Sequence, residues 1–206
     1  VNNISPFVDG LIEAFQCLPG VGPKSARRMV LHLLEKDREA GKVLAESLEL
    51  TLSNVGQCHE CRIFSEQEIC IICSDKKRDP STLCVVEAVS DVFAIEESHQ
   101  YRGKYFILHG HLSPIDNMGP HELGLDQLLT KAKENSFSEI ILATNSTLEG
   151  EATANFIFEG LKGIESLKLS RLARGVPLGG ELEYVDGGTI MHALSGRTNL
   201  KLDNQS

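Results

Sequence analysis

The sequence predicts a multi-module α/β protein: an N-terminal helical hairpin region, a small four-cysteine ribbon, a mostly parallel sheet flanked by helices, and a short C-terminal segment. Three observations carry that prediction. Apolar residues recur at helical spacing as far as Val55. Four cysteines, Cys58, Cys61, Cys70 and Cys73, then cluster in a stretch without long apolar periodicity. From Leu83 onward, short apolar runs alternate with helical patterns, as in strands joined by crossover helices.

The first helix is expected over residues 5–16, with Ser5 as N-cap and Pro6 at the first helical position. Phe7, Val8, Leu11, Ile12 and Phe15 share its apolar face. "LPGVGP" breaks the pattern, and Pro23 opens a second helix with Ala26, Met29, Val30, Leu33 and Leu34 on one side. A third helix over about 41–54 turns Val43, Leu44, Leu48, Leu52 and Val55 inward. After the cysteines, "KKRDPST" (76–82) reads as a linker with a proline boundary. The strands follow as "LCVVEA", "KYFILHG", "EIILAT" and "SLKLSRLA". The helices between them are "DVFAIEES", "LGLDQLLTKAKEN" and "GEATANFIFEGLKG". "RGVPLGGELEYVDGGTIMHALSGR" suggests a glycine-rich turn, a short strand and a short helix, and "TNLKLDNQS" a polar tail. The resulting domains are 1–54, 55–79, 80–175 and 176–206, with oligomerisation assigned to the last.

The 206 residues suffice for one moderate domain plus small modules. No run of about 18 apolar residues suggests a membrane span, and the first ten residues lack the basic-then-apolar order of a secretory signal. A net charge of −9 argues against a generally basic nucleic-acid binder. Any DNA contact must come from a local basic patch. Of the six cysteines, Cys17 and Cys84 stand alone in apolar contexts and are expected to be small buried hydrophobes. This is not a secreted disulfide scaffold.

Such a local patch exists in "LPGVGPKSARRM". Gly20 and Gly22 permit positive φ and close backbone approach. The N–H groups at the start of the second helix suit a phosphate oxygen. Lys24 and Arg28 share a helical face, with Arg27 next to it. From Cys17 to Lys36 the cations Lys24, Arg27, Arg28 and Lys36 face one carboxylate, Glu35, a local balance of +3. The segment resembles the helix-hairpin-helix family of DNA-binding motifs, which read the backbone without sequence specificity.

The cysteines follow the pattern C-x2-C-x8-C-x2-C. Two such knuckles can hold four thiolates around Zn²⁺, leaving no open position, so the zinc is expected to be structural. The segment is too small to fold on its own core. Two disulfides or an iron–sulfur cluster are the alternatives, and disulfides fit a cytoplasmic chain poorly. His59 is expected to be exposed and not a ligand.

The first strand of the α/β region ends at Glu87, followed by Asp91, and a later strand leads into "ATNSTLEGEATA" (143–154). These stretches resemble the Toprim domain of topoisomerases and bacterial primases. In that family a Glu after the first strand acts as acid/base and a later Asp-x-Asp pair binds Mg²⁺, in a frame such as "ATDPDREGEA". The resemblance places Glu87 in the first role, and puts Asn145 and Thr147 where the aspartates would stand. Mg²⁺ prefers anionic oxygen ligands, and two-metal phosphoryl chemistry needs that charge. A nuclease, primase or topoisomerase is therefore disfavoured, and no tyrosine stands out as a nucleophile among Tyr101, Tyr105 and Tyr184. Glu87, Asp91, Glu149 and Glu151 read as a solvated acidic rim, open to a basic partner. His109 and His111 invite a metal, but Gly110 makes a continuous strand face doubtful.

The C-terminal part carries Arg171, Arg174, Arg197 and Lys201. "LEYVD" loosely resembles a Walker B element, yet no G-x4-GK-[ST] loop accompanies it, so a structural strand ending at Asp186 is expected. The order of hairpin, four cysteines, Toprim-like region and "RLARGVPLGGELEYVD" closely resembles the RecR family of bacterial recombination mediators, over essentially the whole chain. The resemblance implies a non-enzymatic cytoplasmic protein that forms dimers or tetrameric rings around single- or double-stranded DNA. It implies action with RecO, and in some settings RecF, to load RecA onto gaps coated by SSB. It also matches the family's DNA-contacting basic positions to Lys24 and Arg28, and associates RecO contact with the acidic Toprim region. A ring reconciles the net charge with DNA, since weak patches facing one hole add by avidity.

Overall fold

The structure, a computed structural model, describes residues 5–173 and 175–197. Arg174, Lys201 and the expected polar tail lie outside the described residues. The chain divides into two compact units after Val55.

The first unit holds three helices: α1 (Pro6–Phe15), α2 (Pro23–Glu35) and α3 (Arg38–Asn54). Ser5 occupies the N-cap of α1 without a side-chain cap bond, so the fixed φ of Pro6 starts the helix. Between α1 and α2 the chain tightens: Cys17 and Leu18 donate to Ala14 and Phe15, and Val21 donates to Leu18. Gly20 sits at φ +77°, a left-handed conformation that glycine adopts freely. Ala26 and Val30 are fully buried beneath α2. α3 begins three residues earlier than expected because Asp37 caps it, accepting from the Ala40 N–H at 2.9 Å. The expected inward face of α3 is not buried: Val43, Leu44 and Leu48 are exposed, and Leu52 is 81% exposed. Three short helices do not offer enough surface to cover it. Cys17 is likewise exposed and not a core residue, because it falls in the turn after α1.

The second unit begins with a two-stranded antiparallel ribbon, β1 (Gly56–Gln57) and β2 (Phe64–Ser65), and the short helix α4 (Ile71–Ser74). A parallel sheet follows, built from β3 (Thr82–Val86), β4 (Lys104–Ile107), β5 (Glu139–Ala143) and β6 (Lys168–Arg171), in the order β4-β3-β5-β6. The remaining helices are α5 (Val89–Glu97), α6 (Leu125–Glu134), α7 (Leu148–Leu161) and α8 (Gly187–Ser195). Leu83 through Val86 of β3 are all buried, as expected of a parallel strand covered on both faces. Alternation sends Leu83, Val85 and Phe106 into one core with Leu125, Leu128, Ile157 and Leu161 of α6 and α7. It sends Cys84, Val86, Tyr105 and Ile107 into the other, with Val92 of α5 and with Cys58, Cys61 and Cys70. The cysteine ribbon therefore covers one face of the sheet and shares its core.

Hydrogen bonds hold the ribbon there. β4 is an edge strand, and its Ile107 N–H donates to the Cys61 carbonyl at 3.0 Å. Lys104 Nζ donates to the Cys73 and Asp75 carbonyls at 2.8 and 3.2 Å. Arg62 lays its guanidinium over the Phe106 ring and donates to the Ile107 and Leu123 carbonyls. A Cβ at Gly124 would meet Arg62 Nη1 at 2.5 Å, so glycine there makes room for it. Buried Arg78 pairs with Glu96 and donates to the Gly103 carbonyl. Residues 182–184, expected as a strand, instead form a 3-10 turn, flanked by the glycine pairs 179–180 and 187–188.

Candidate nucleic-acid interface and metal centre

The hairpin presents its cations as the spacing predicts. Lys24, Arg27 and Arg28 are exposed and make no ion pair among the described residues. α2 starts at Gly22 with no side-chain cap and no acidic residue in its first turn. Its first intrahelical donor is the Ala26 N–H to the Gly22 carbonyl, which leaves the N–H groups of Lys24 and Ser25 without an intrahelical acceptor. Nothing lies within 4 Å of where a Cβ would stand at Gly20 or Gly22, so this end is open to a large ligand. The charge, the free N–H groups and the open surroundings together suit an oxyanion.

The four cysteines converge, with all four sulfurs within 4.8 Å of one another. Tetrahedral Zn–S bonds of about 2.3 Å would put the sulfurs about 3.8 Å apart, and Cys61 Sγ lies 3.5 Å from Cys70 Sγ. Three of the residues are buried and Cys73 is half-buried. Backbone N–H groups already point at sulfur: Cys70 donates to Cys58 at 3.3 Å and Cys73 to Cys70 at 3.4 Å. Burial pushes the Cys58 thiol up, but the N–H groups of Cys70, Cys61 and Glu60 outweigh it and bring it down to about 7. Burial beside the other thiols pushes Cys70 up to about 11. A closed set of four soft donors fits a structural metal ion. His59 is exposed and outside the cluster.

The turn after β5 is organised differently. Glu87 is only 4% exposed, which removes it from the expected solvated rim. Asn145 clamps it: the backbone N–H of Asn145 donates to Oε1 at 2.9 Å and its side-chain Nδ2 donates to Oε2 at 2.6 Å. His111 Nδ1 stands 3.5 Å from the same carboxylate. A Cβ at Gly150 would come within 2.2 Å of the Asn145 carbonyl and 2.8 Å of Glu87 Oε1, so only glycine lets α7 close on this turn. Thr147 caps α7, accepting from the Gly150 N–H at 3.1 Å. Asn145 and Thr147 thus hold the turn together.

The other acidic positions separate. Asp91 caps α5 by accepting from the Ala88 N–H at 2.8 Å. Glu151 pairs with Arg171 at 2.9 Å, and Arg171 also donates to the carbonyl and hydroxyl of Thr144, each at 3.1 Å. Glu149 is exposed. His109 does not form a site with His111: its Nε2 bonds the Arg62 carbonyl at 2.7 Å and its ring packs on Phe64. Arg62 was not singled out in the sequence, and Arg171 only as a basic residue of the C-terminal part, since each acts on groups far along the chain. Gly150, between two glutamates in a first helical turn, did leave a signal. Asp186 caps α8 through the N–H and hydroxyl of Thr189, which hold its carboxyl below the usual range. That is a structural task with no nucleotide in it.

The comparisons with known proteins follow the same division. Residues 8–52 match the family described as "RecR, helix-hairpin-helix", residues 81–173 the "Toprim domain", and residues 175–198 "RecR, C-terminal". The chain is similar to "Recombination protein RecR" of Coxiella burnetii, 51% identical over 194 residues, which cover 94% of this chain and 96% of that protein.

Proposed function

The chain belongs to the RecR family of recombination proteins, and on that premise we propose that it is a non-enzymatic DNA clamp of recombinational repair. It binds single- and double-stranded DNA without sequence preference, through Lys24, Arg27 and Arg28 and the hairpin glycines Gly20 and Gly22. The observation that carries this reading is the cluster of exposed cations without ion-pair partners among the described residues, beside a helix start with no side-chain cap, in a chain of net charge −9. The clamp acts in the bacterial cytoplasm, at the nucleoid, with RecO and RecF to load RecA onto SSB-coated gaps. Asp91, Glu149 and Glu151 are its acidic contacts for a basic partner, Glu149 being the most open of them, while buried Glu87 drops out.

Self-association into a dimer or tetrameric ring has two supports. One is the exposed apolar face of α3. The other is the C-terminal segment, where Leu178, Leu182, Tyr184, Met191 and Leu194 are exposed. One structural Zn²⁺ per chain is held by Cys58, Cys61, Cys70 and Cys73. The absence of catalysis is supported by Asn145 and Thr147, which bring no charge to the turn and already have structural partners.

The test is the double variant Lys24→Glu, Arg28→Glu. It is expected to lose DNA binding at every salt concentration while its melting temperature is retained. Unchanged, salt-sensitive binding would sink the clamp reading.

A further inference from the structure

We propose that the nucleic-acid track runs the whole length of α2, through His32 to Lys36, so that one DNA strand lies along the helix instead of touching the hairpin alone. The inference rests on the DNA-clamp reading and extends its contact surface. Lys24, Arg28, His32 and Lys36 follow one another at steps of four, which aligns them on one face. Arg27, Leu31 and Glu35 form the neighbouring row. All seven line a single surface groove, and all but half-buried Leu31 are exposed. The buried row of this helix, Ala26 and Val30, is displaced by two residues, about 200° around the axis. The cationic rows therefore face away from the unit's own core.

Pairing distinguishes this strip from ordinary solvated charge. Lys24, Arg27, Arg28 and Lys36 make no ion pair among the described residues, and Glu35 is the one carboxylate lining the groove. Just beyond Lys36 the pattern changes: Arg38 donates to the Leu34 carbonyl at 3.0 Å and Lys42 pairs with Glu39 at 3.1 Å. Beyond α2 the cations are thus partly engaged, Arg38 by a carbonyl and Lys42 by a carboxylate. From Lys24 to Lys36 the helix rises about 18 Å. Successive cations of the row are about 6 Å apart along the axis, so each can meet a different phosphate of the strand. The hairpin would hold the first of them and Lys36 the last, with His32 donating between.

The competing account is local. His32 and Lys36 lie at the C-terminal end of α2, where positive charge stabilises the helix dipole. On that account they affect helix stability and not DNA. Titration of the full chain with labelled duplex and single-stranded oligonucleotides across a salt series separates the two. Lys36→Gln is expected to weaken binding and to flatten the log–log salt slope by about 0.9 for duplex and 0.7 for single strands. Equivalently, its deficit on duplex shrinks about threefold for each fourfold rise in salt. Glu35→Gln, from the same groove, is expected to strengthen binding. Lys24→Gln calibrates the slope, and melting curves confirm the fold of each variant. If Lys24→Gln flattens the slope while Lys36→Gln only lowers the melting temperature, the track ends at the hairpin and the proposal is overturned. If neither variant changes the slope, the DNA-clamp reading itself falls.

Discussion

Two regions of this molecule gather side chains that bear on metal binding, and they have opposite designs. At the cysteine cluster four soft donors converge, backbone N–H groups support the sulfurs, and the chain is bonded to a sheet edge around them. At the turn after β5 Asn145 and Thr147 are neutral, and the buried carboxylate, Glu87, accepts from both the backbone and the side-chain N–H of Asn145. The first region can hold an ion, while the second holds its carboxylate with hydrogen bonds. The contrast teaches that fold alone does not assign metal chemistry: the donor set at each turn decides it.

The largest expected effect comes from removing the ion at the cysteines. Metal binding in isolated zinc modules contributes about 10–16 kcal/mol at neutral pH. Here Cys58, Cys61 and Cys70 belong to the core that covers one face of the sheet, so loss should spread beyond the ribbon. Cys70→Ser is expected to bring the metal content from one zinc per chain toward none and to lower the melting temperature sharply, with aggregation through the uncovered β4 edge. Native mass spectrometry and thermal unfolding check both. Wild-type protein purified without zinc would remove the metal assignment.

A smaller effect tests how firmly the end of the ribbon is tied to the sheet. Arg78 is buried against half-buried Glu96, which also accepts from the Tyr105 hydroxyl at 2.6 Å. Breaking such a pair from one side costs about 3 kcal/mol, so Arg78→Ala should unfold at lower denaturant. Arg78 and the Tyr105 hydroxyl hold the Glu96 carboxyl below its usual 4.5. The pair's stabilisation is therefore complete above that value and is lost as pH falls through the lower, folded one. Wild-type stability should drop in that acid window, and Arg78→Ala should drop less. Parallel curves would show that the pair is not coupled to folding.

What could be read in the sequence was local. The hairpin cations, the cysteine spacing and the strand runs each depend on residues within one or two turns of one another. The burial of Glu87 did not follow from its neighbours, because the clamp comes from Asn145, 58 positions on. The apolar stripe on α3 predicted burial, but the three-helix unit leaves Val43, Leu44, Leu48 and Leu52 exposed. "LEYVD" has the composition of a strand, yet glycine pairs on both sides leave it a single 3-10 turn. Thr147 and Asp186 had neutral or nucleotide-like readings, and their work as caps depended on where α7 and α8 begin.

The smallest effect bears on the turn after β5. Asn145→Asp keeps the backbone bond to Glu87 but removes the Nδ2 donor and sets a second carboxylate beside the first. Losing that bond and adding repulsion should cost about 1–3 kcal/mol. Repulsion raises the folded pKa of one carboxyl of the pair, so the penalty is present at neutral pH and is relieved as pH falls and that group protonates. Adding Thr147→Asp retains a capping side chain for α7 and brings two anionic oxygens to the turn. Millimolar Mg²⁺ should then raise the melting temperature of the double variant and leave wild type unmoved. Should Asn145→Asp prove neutral at pH 7, or Mg²⁺ stabilise wild type equally, the hydrogen bonds to Glu87 are not what holds the turn.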